Sequence, residues 1–331
     1  MSDGSAIEWT DATWNPLRAR NKSDGSVGWH CIKVSEACRH CYAQSMNRRL
    51  GTGLNYDAPD MRKVEIYLDE KTLPTPLKWK KPRKIFVCSM TDLFGDWVSD
   101  EMLDRIFAVM SLCPQHTFQV LTKRPARMRE YISLGDRDRV IEGAVLAWHD
   151  SQKSNGYKLS NSLTMHPLKV AESLRMRGDR HVYNWPLRNV WLGVTAENQA
   201  TADERIPQLL ATPAAVRFIS AEPLLGSIDL SVIDISGDAM VTPLIACSAE
   251  ELSEEWGEPI DKGQPRLDWV ITGGESGPHA RPMHPDLARS IRDQCKAAGV
   301  PFFMKQMSGA RKSEREAIPS DLLIREYPNA M

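Results

Sequence analysis

One complete strand–helix–strand pattern occupies residues 84–123, KIFVCSMTDLFGDWVSDEMLDRIFAVMSLCPQHTFQVLTK. Its first part, KIFVCSM (84–90), is a short run rich in apolar residues, which is typical of a buried strand. The segment DEMLDRIFAVMSLC (100–113) has the apolar spacing of an amphipathic helix. The strand pattern then returns in TFQVLTK (117–123). This order predicts a parallel βαβ unit.

The same alternation extends through most of the chain. Helical patterns follow in PARMREYI (125–132), ADERIPQLLA (202–211) and PDLARSIRDQCKAAG (285–299). Further strands are expected in IEWTDATW (7–14), NVWLGVT (189–195), AVRFISAEPL (215–224), LDWVITGGES (267–276) and VPFFMKQ (300–306). We therefore expect the α/β class, with a partial (βα)6 TIM-like barrel that forms a single domain over residues 1–331.

Two polar segments interrupt the alternation, at about 134–188 and 226–266, and we interpret both as insertions. The whole chain carries a formal net charge of −1, from 42 basic and 43 acidic residues. Eight of the acidic residues lie in 234–261, which contains no lysine or arginine. Removing these eight charges from the total leaves +7 for the rest of the chain. The near-neutral total excludes a uniformly basic nucleic-acid-binding protein, but it allows a local basic surface.

Cysteine usage and hydropathy indicate the compartment. The N-terminal residues show no signal-peptide pattern, and no run approaches the roughly 18 apolar residues that a membrane helix needs. We therefore expect a cytoplasmic protein with no membrane partner. The seven cysteines are then expected to be reduced, and a cluster of them indicates metal or redox chemistry.

Three of the cysteines lie close together in GWHCIKVSEACRHCYA (28–43), with the spacing Cys31-x6-Cys38-x2-Cys41. Three thiolates on such a short loop can bind one metal centre. A structural zinc ion would need a fourth ligand, such as His30 or His40. A [4Fe–4S] cluster would use three cysteines and keep one iron open to a small molecule. A third alternative is that these are three unrelated core cysteines.

Polar side chains follow the other predicted strands. The carboxyl ends of parallel strands meet at one rim, where barrel enzymes assemble their active sites. A single polar residue at a strand end is more often a cap or turn residue, but six such strand ends indicate a shared site. The residues are Ser89, Thr91, Asp92, Thr122, Lys123, Arg124, Thr195, Glu197, Asn198, Ser220, Glu222, Gly273, Gly274, Glu275, Ser276, Lys305 and Gln306.

Together these motifs resemble those of radical S-adenosylmethionine enzymes, in particular a branch encoded by phages and bacteria and long described only as a domain of unknown function. Two features depart from the usual pattern. The first cysteine gap is six residues instead of three, and His40 replaces the aromatic residue that often precedes the last cysteine. The matching stretches are TWNP (13–16), CYA (41–43), FVCSMTDLF (86–94), VLTKRP (120–125), VWLGVTAEN (190–198), RFISAEPLL (217–225), WVITGGESGPHARPMHP (269–285) and GVPFFMKQ (299–306).

The resemblance implies a set of cofactors and the residues that bind them. Cys31, Cys38 and Cys41 would hold a [4Fe–4S] cluster, and S-adenosylmethionine would chelate its open iron. One electron from a donor such as flavodoxin or ferredoxin would then release a 5′-deoxyadenosyl radical, which abstracts hydrogen from the substrate. The cofactor-binding residues implied are Ser89, Thr91, Asp92, Glu197, Glu222, Gly273 and Gly274.

Relatives in phage DNA hypermodification imply a specific substrate. We expect isomerisation of N-glycinyl-thymidine to C-glycinyl-thymidine in DNA, in the host cytoplasm if the chain is phage-encoded. The basic and aromatic residues within 18–50 would suit a nucleic-acid surface. Arg281, Arg124 or Lys305 could bind the glycinyl carboxylate, and Glu275 or His279 could serve as a base.

Three other functions remain open from the sequence. A lyase that repairs a DNA photoproduct would need a thiol to return hydrogen, for which Cys88 is the candidate. A radical enzyme could instead act on a small molecule or a peptide. A zinc-stabilised nucleic-acid-binding protein is the third alternative, and it would have no radical chemistry.

Overall fold

A computed structural model of the protein describes residues 4–5, 7–134, 140–141, 143–144, 185–234, 240–244 and 265–329. The strands are β1 (Ala12–Trp14), β2 (Leu17–Asn21), β3 (Val27–Gly28), β4 (Val64–Leu68), β5 (Lys84–Val87), β6 (Thr117–Thr122), β7 (Val190–Thr195), β8 (Val216–Ala221), β9 (Ile233–Asp234), β10 (Met240–Val241), β11 (Trp269–Thr272) and β12 (Phe302–Met304). The α-helices are α1 (Tyr42–Leu50), α2 (Ala58–Met61), α3 (Asp100–Ser111), α4 (Pro125–Ser133), α5 (Gln199–Leu210) and α6 (Pro285–Ala298).

Seven strands form one curled, parallel sheet in the order β1-β5-β6-β7-β8-β11-β12. The order in the sheet follows the order in the chain, so each crossover brings the chain back beside the strand it has just left. Every neighbouring pair is parallel, with Phe118 of β6 opposite Val190 of β7, for example. The predicted α/β class and the predicted parallel strands are confirmed, and the seven strands of this sheet lie within the segments where the sequence predicted them.

The helices begin and end at the residues that their sequences favour. Asn198 caps α5, where its side chain accepts a hydrogen bond from the Thr201 backbone N–H and the Thr201 side chain reciprocates. Gly299 follows α6 in the left-handed conformation, with φ 67°, which a glycine adopts without steric cost. The first cap places the start of α5 just after β7, and the second ends α6 just before β12.

Alternation along the strands produces two separate cores. Ile219 and Ala221 of β8 pack outward into the main core beneath the helices. Phe218 points the other way, into an aromatic cluster inside the curled sheet that also contains Trp9, Trp191 and Trp269. Because side chains alternate with a period of two, Ser220 and Glu222 share the inner side with Phe218. The inner side is therefore aromatic at its base and polar at its carboxyl end.

A small antiparallel sheet, in the order β3-β2-β4, is inserted between β1 and β5. We expected the cysteine motif to follow the first strand directly, but it follows β3 instead. The turn between β2 and β3 contains Asp24 and Gly25, and Gly25 has φ 74°. Such Asp-Gly pairs favour a tight hairpin because glycine tolerates a positive φ. The long segment 18–30 is therefore a hairpin beside the main sheet.

The two predicted insertions are described only in part. Residues 135–139, 142 and 145–184 of the first, and 235–239 and 245–264 of the second, lie outside the described residues. In the second insertion β9 and β10 pair antiparallel, with Ile233 opposite Val241. Within the described ranges, no helix has the length and apolar character needed to cross a membrane.

Candidate active site

A cavity of about 770 Å³ lies at the carboxyl ends of the seven parallel strands. Its base is apolar and includes Trp9, Phe86 and Leu121 from the aromatic cluster and its border. Every strand of the sheet contributes at least one polar residue at or just after its end. These residues are Asn15 after β1, Ser89 after β5, Lys123 after β6, Thr195 of β7, Glu222 after β8, Glu275 after β11 and Lys305 after β12.

Cys31, Cys38 and Cys41 all line this cavity, together with His40. The three thiols are free and partly buried. Burial raises the pKa of the Cys31 thiol to about 12, and the nearby Arg124 opposes this shift. Burial also raises the pKa of Cys41, against the effect of Lys123. The motif thus brings three partly buried thiols to one cavity, and Arg124 and Lys123 favour the thiolate forms of Cys31 and Cys41 respectively.

The cysteine loop, which we define as residues 29–41, is held across the rim by strand-end residues. Each contact joins the loop to a different strand of the sheet, so the loop is anchored at four places. The contacts are Thr91 Oγ1 to His30 O (2.5 Å), Arg124 Nη2 to Ile32 O (2.9 Å), Ser35 Oγ to Glu197 Oε1 (3.1 Å) and Arg281 Nη2 to Glu36 O (3.1 Å).

The described residues do not form a site for a single metal ion. None of their groups of three or more His, Cys, Asp or Glu side chains is placed to hold one. His30, one of the two predicted fourth zinc ligands, is buried outside the cavity lining. Its Nε2 lies 3.2 Å from the Asp57 carbonyl oxygen. The placement of His30 therefore does not support its prediction as a zinc ligand.

Asp92, predicted to bind cofactor, has its carboxylate occupied by the protein. It accepts hydrogen bonds from Thr122 Oγ1 at 2.6 Å and from the Lys123 backbone N–H at 3.0 Å. Arg124 Nη1 forms an ion pair with it at 3.1 Å. Asp92 thus orients Arg124, which in turn holds the cysteine loop. We assign Asp92 to that structural role, although it also lines the cavity.

Glu197 is buried outside the cavity lining, with 1% of its surface exposed. Arg205 Nη1 donates to both of its carboxylate oxygens, at 3.1 and 3.2 Å, and Lys123 Nζ lies 3.6 Å away. Burial alone would raise the pKa of Glu197, but these two cations and its hydrogen bonds hold it below its usual value. The predicted contact with the ribose or substrate is not supported by this placement.

Glu222 and Lys305 face each other in the cavity. Lys305 Nζ lies 3.1 Å from Glu222 Oε1, and Ser220 Oγ donates to the other carboxylate oxygen at 2.9 Å. A Cβ atom at Gly273 would lie 2.5 Å from Glu222 Oε1, so the glycine leaves room for this pair. Among the predicted residues, Glu222 and Lys305 are the charged pair best placed to meet a ligand.

Glu275 and Arg281, predicted as catalytic residues, bind each other instead. Arg281 Nη2 lies 2.7 Å from Glu275 Oε1 and Arg281 Nε donates to Oε2 at 2.9 Å. Burial would raise the pKa of Glu275, but the hydrogen bonds from Arg281 lower it. Glu275 lines the cavity, whereas Arg281 does not. Arg281 therefore connects the loop after β11 to the cysteine loop, and its predicted role in binding a substrate carboxylate lacks support.

The remaining predicted residues have mixed placements. Ser89 lines the cavity and exchanges hydrogen bonds with Asn15, at 3.2 and 3.3 Å. Gly274 also lines the cavity, whereas Gly273 lies behind it. Cys88 lines the cavity, is 3% exposed and has φ 57°. Burial raises the pKa of Cys88, so its sulfur is a neutral S–H near pH 7.

Arg18 and Trp29 were not predicted as site residues, yet both line the cavity. The guanidinium carbon of Arg18 lies 4.2 Å from the centre of the Trp29 ring. In the sequence they belong only to a general basic and aromatic region. The alternation of β2 places Arg18 and Arg20 on one side of the sheet, but no local pattern indicates that this side meets the cavity.

Comparison with known proteins gives one family and no characterised relative. No curated protein and no solved structure matches the chain. The family profile described as "Protein of unknown function (DUF5131)" matches residues 4–324. This match covers nearly the whole sequence, and the chain therefore belongs to the DUF5131 family.

Proposed function

We propose that the protein is a radical S-adenosylmethionine enzyme built on a partial (βα)6 TIM-like barrel. The observation that carries the proposal is that three free cysteines share one cavity with polar residues from all seven parallel strands. In a [4Fe–4S] cluster each cysteine binds a different iron, so three thiolates surround the cluster and need not converge on one ion. The donor set therefore suits a cluster better than a single zinc ion.

In this proposal Cys31, Cys38 and Cys41 hold the cluster, and S-adenosylmethionine occupies the adjoining cavity. When bound, the pair supplies a carbon-centred adenosyl radical that removes hydrogen from the substrate. Arg124 favours the thiolate form of Cys31, and Lys123 favours that of Cys41. The strand-end contacts keep the loop in place, and the apolar base of the cavity limits access of water to the reacting atoms.

For the substrate, we propose a glycinyl-modified thymidine in DNA, isomerised from its N-linked to its C-linked form. Exposed basic side chains surround the cysteine loop and α1, including Arg39, Arg48 and Arg49. Such residues can bind phosphates, and aromatic side chains near them can stack on bases. A flavodoxin-like or ferredoxin-like donor would supply the electron that starts each reaction.

Anaerobic reconstitution with iron and sulfide tests the cluster. We expect about four irons per chain, a visible iron–sulfur absorbance, and formation of 5′-deoxyadenosine after reduction in the presence of S-adenosylmethionine. Cys31→Ala, Cys38→Ala and Cys41→Ala should each abolish the cluster. Cys295→Ala, at a buried thiol on α6 far from the loop in sequence, is the matched control and should retain it. Equal iron binding by all four variants would refute the assignment.

The substrate is tested with DNA that carries N-glycinyl-thymidine. An isomerisation leaves the nucleoside mass unchanged, so the digested product must be identified by its chromatographic retention and its fragmentation pattern. Conversion of N-linked to C-linked nucleoside by the reconstituted enzyme supports the proposal. Release of 5′-deoxyadenosine without a new nucleoside would reject this substrate while leaving the radical chemistry intact.

Cys88 favours a second candidate, a radical lyase that repairs a DNA photoproduct. Such a reaction returns a hydrogen atom to the product, and a cysteine can donate one only as a protonated thiol. Cys88 lines the cavity, and its buried thiol is neutral near pH 7. If this candidate is correct, Cys88→Ala should retain the cluster and form 5′-deoxyadenosine but fail to complete repair of photoproduct DNA. Full repair by Cys88→Ala would exclude this role for the thiol.

A further inference from the structure

The basic side chains that line the cavity differ in how they are neutralised. Three of them form ion pairs: Lys123 with Glu197 at 3.6 Å, Lys305 with Glu222 at 3.1 Å, and Arg315 with Glu8 at 3.5 Å. Arg18 also lines the cavity. Within the part of the chain that the structure describes, its guanidinium forms no ion pair and no hydrogen bond. Among the described cations that line this cavity, it is the one without an ion pair.

The Arg18 guanidinium stacks on Trp29, at 4.2 Å from the ring centre. Arg18 Nε and Trp29 Nε1 are both buried N–H donors without a hydrogen-bond partner. Asp69 interacts electrostatically with Arg18, but its carboxylate accepts hydrogen bonds from Thr72 Oγ1 and the Lys71 N–H instead. Two residues that line one cavity thus each have a buried donor without an acceptor, which is costly for buried groups.

The pair is held in place before any ligand arrives. Arg18 lies in the middle of β2, opposite Tyr67 of β4. The backbone N–H of Trp29 donates to Asn47 Oδ1 at 2.9 Å, and Asn47 is fully buried. At Gly28, a Cβ atom would lie 2.3 Å from the same Asn47 oxygen. These contacts fix the backbone at Gly28 and Trp29, from which the Trp29 ring stacks on the guanidinium.

We propose that Arg18 and Trp29 form a subsite that binds an oxyanion of the substrate, either a carboxylate or a phosphate. A guanidinium presents a planar set of N–H donors that matches such a group, and stacking on an aromatic ring leaves its edge free to bind. The anion would accept hydrogen bonds from the guanidinium of Arg18 and neutralise its charge. Identifying the ligand as the substrate rests on the proposed function, whereas the existence of the subsite does not.

The subsite assigns the binding of a substrate carboxylate to Arg18, whereas the sequence indicated other residues for it. Arg124, Arg281 and Lys305 were the candidates for binding a substrate carboxylate. Each of them is already paired with a carboxylate of the protein, and an incoming anion would have to displace that partner. Arg18 has no such partner to lose, so it can neutralise an incoming charge directly.

Titration of the full-length protein with small anions tests the subsite, and needs no cluster. The probes are inorganic phosphate, acetate and methionine, each compared with sodium chloride at equal ionic strength, and the readouts are Tm and intrinsic tryptophan fluorescence. The variants are Arg18→Gln and Arg18→Lys. Arg20→Gln is the matched control, because Arg20 lies on the same strand, stacks on Tyr67 and pairs with Glu65 outside the cavity.

We expect a saturable response of the wild-type protein and Arg20→Gln to phosphate, acetate or both. Binding should weaken by roughly 10- to 150-fold in Arg18→Gln, as expected for a lost hydrogen bond to a charged group. Arg18→Lys keeps the positive charge but loses the planar guanidinium that stacks on Trp29, so it should also bind the anion more weakly. This variant provides the test if Arg18→Gln does not fold. A response to phosphate alone would identify a phosphate as the ligand, and a response to acetate alone a carboxylate.

Three results would overturn the inference. They are the absence of any saturable response in the wild-type protein, an undiminished response in the Arg18 variants, and a response to methionine alone. The last would assign the subsite to the carboxylate of the cofactor. Because these measurements use the protein without its cluster, they can fail while reconstitution succeeds, or succeed while reconstitution fails.

Discussion

The buried ion pair between Arg205 and Glu197 allows a quantitative test of the fold. Each residue is 1% exposed, and Arg205 Nη1 also donates to Thr195 Oγ1 at 2.8 Å. Arg205→Met keeps most of the side-chain volume and removes the charge. Removing one partner of a buried ion pair costs about 3–5 kcal/mol, because the other charge stays buried and uncompensated. Lys123 remains 3.6 Å from Glu197, so we expect the lower end of this range.

A loss of about 3 kcal/mol is large against the total stability of roughly 5–15 kcal/mol that domains usually have. Urea unfolding at pH 7, followed by far-ultraviolet circular dichroism, measures it. The control is the double variant Glu197→Gln/Arg205→Met, which removes the orphaned charge and should lose less stability than Arg205→Met alone. A loss below about 1 kcal/mol in Arg205→Met, or a double variant less stable than the single one, would refute the reasoning.

The same ion pair predicts how the free energy of unfolding depends on pH. The pKa of Glu197 is lowered in the folded protein, although its burial acts in the opposite direction. In the unfolded chain the pKa of a glutamate is 4.5. The lowered pKa of Glu197 therefore stabilises the fold above pH 4.5, and this contribution is lost as the pH falls through the pKa of the folded protein. In Arg205→Met, fewer positive charges oppose the effect of burial on Glu197, so the pKa of Glu197 rises. The stability difference between wild type and variant should therefore narrow between pH 7 and pH 4.

Two further variants test the inner packing and the anchoring of the cysteine loop. Gly193→Ala would place a Cβ atom 2.6 Å from the Phe218 ring and should cost about 1–3 kcal/mol in urea unfolding. Gly226→Ala, whose Cβ would have its nearest neighbour at 3.5 Å, is its control, and equal losses would contradict the packing argument. Arg281→Gln should cost about 1–3 kcal/mol, because it leaves the buried Glu275 carboxylate without its bidentate partner. It should also speed tryptic cleavage within the cysteine loop, measured by mass spectrometry, and an unchanged cleavage rate would contradict its anchoring role.

Local patterns were sufficient to predict the main sheet. The run TFQVLTK (117–123) contains all of β6, and PDLARSIRDQCKAAG (285–299) contains all of α6 with its glycine cap. These predictions depend on the apolar period and on cap residues, which are properties of short segments. The polar strand ends were also visible, because parallel strands place their carboxyl ends on one side of a sheet.

Contacts between residues that are far apart in sequence could not be predicted from local patterns. Glu197 follows β7 and has the spacing of a ligand-binding residue, but Arg205 and Lys123 enclose it from two other elements. Arg281 reaches Glu36, 245 positions away. Whether a charged residue meets a ligand or a protein partner depends on its three-dimensional neighbours. The sequence shows which residues are charged, but it does not show which of them form ion pairs.

The sequence by itself determined the α/β class, the order of the strands and the presence of three clustered cysteines at the rim, because periodicity, caps and short spacings are local. Only the tertiary structure decided which rim residues are available to a ligand. Ion pairing occupies Asp92, Glu197 and Arg281, and among the described residues it leaves Arg18 without an ion pair beside Trp29. Charges pair through space over a few ångströms, and the folded chain brings those partners together from positions that are far apart in sequence.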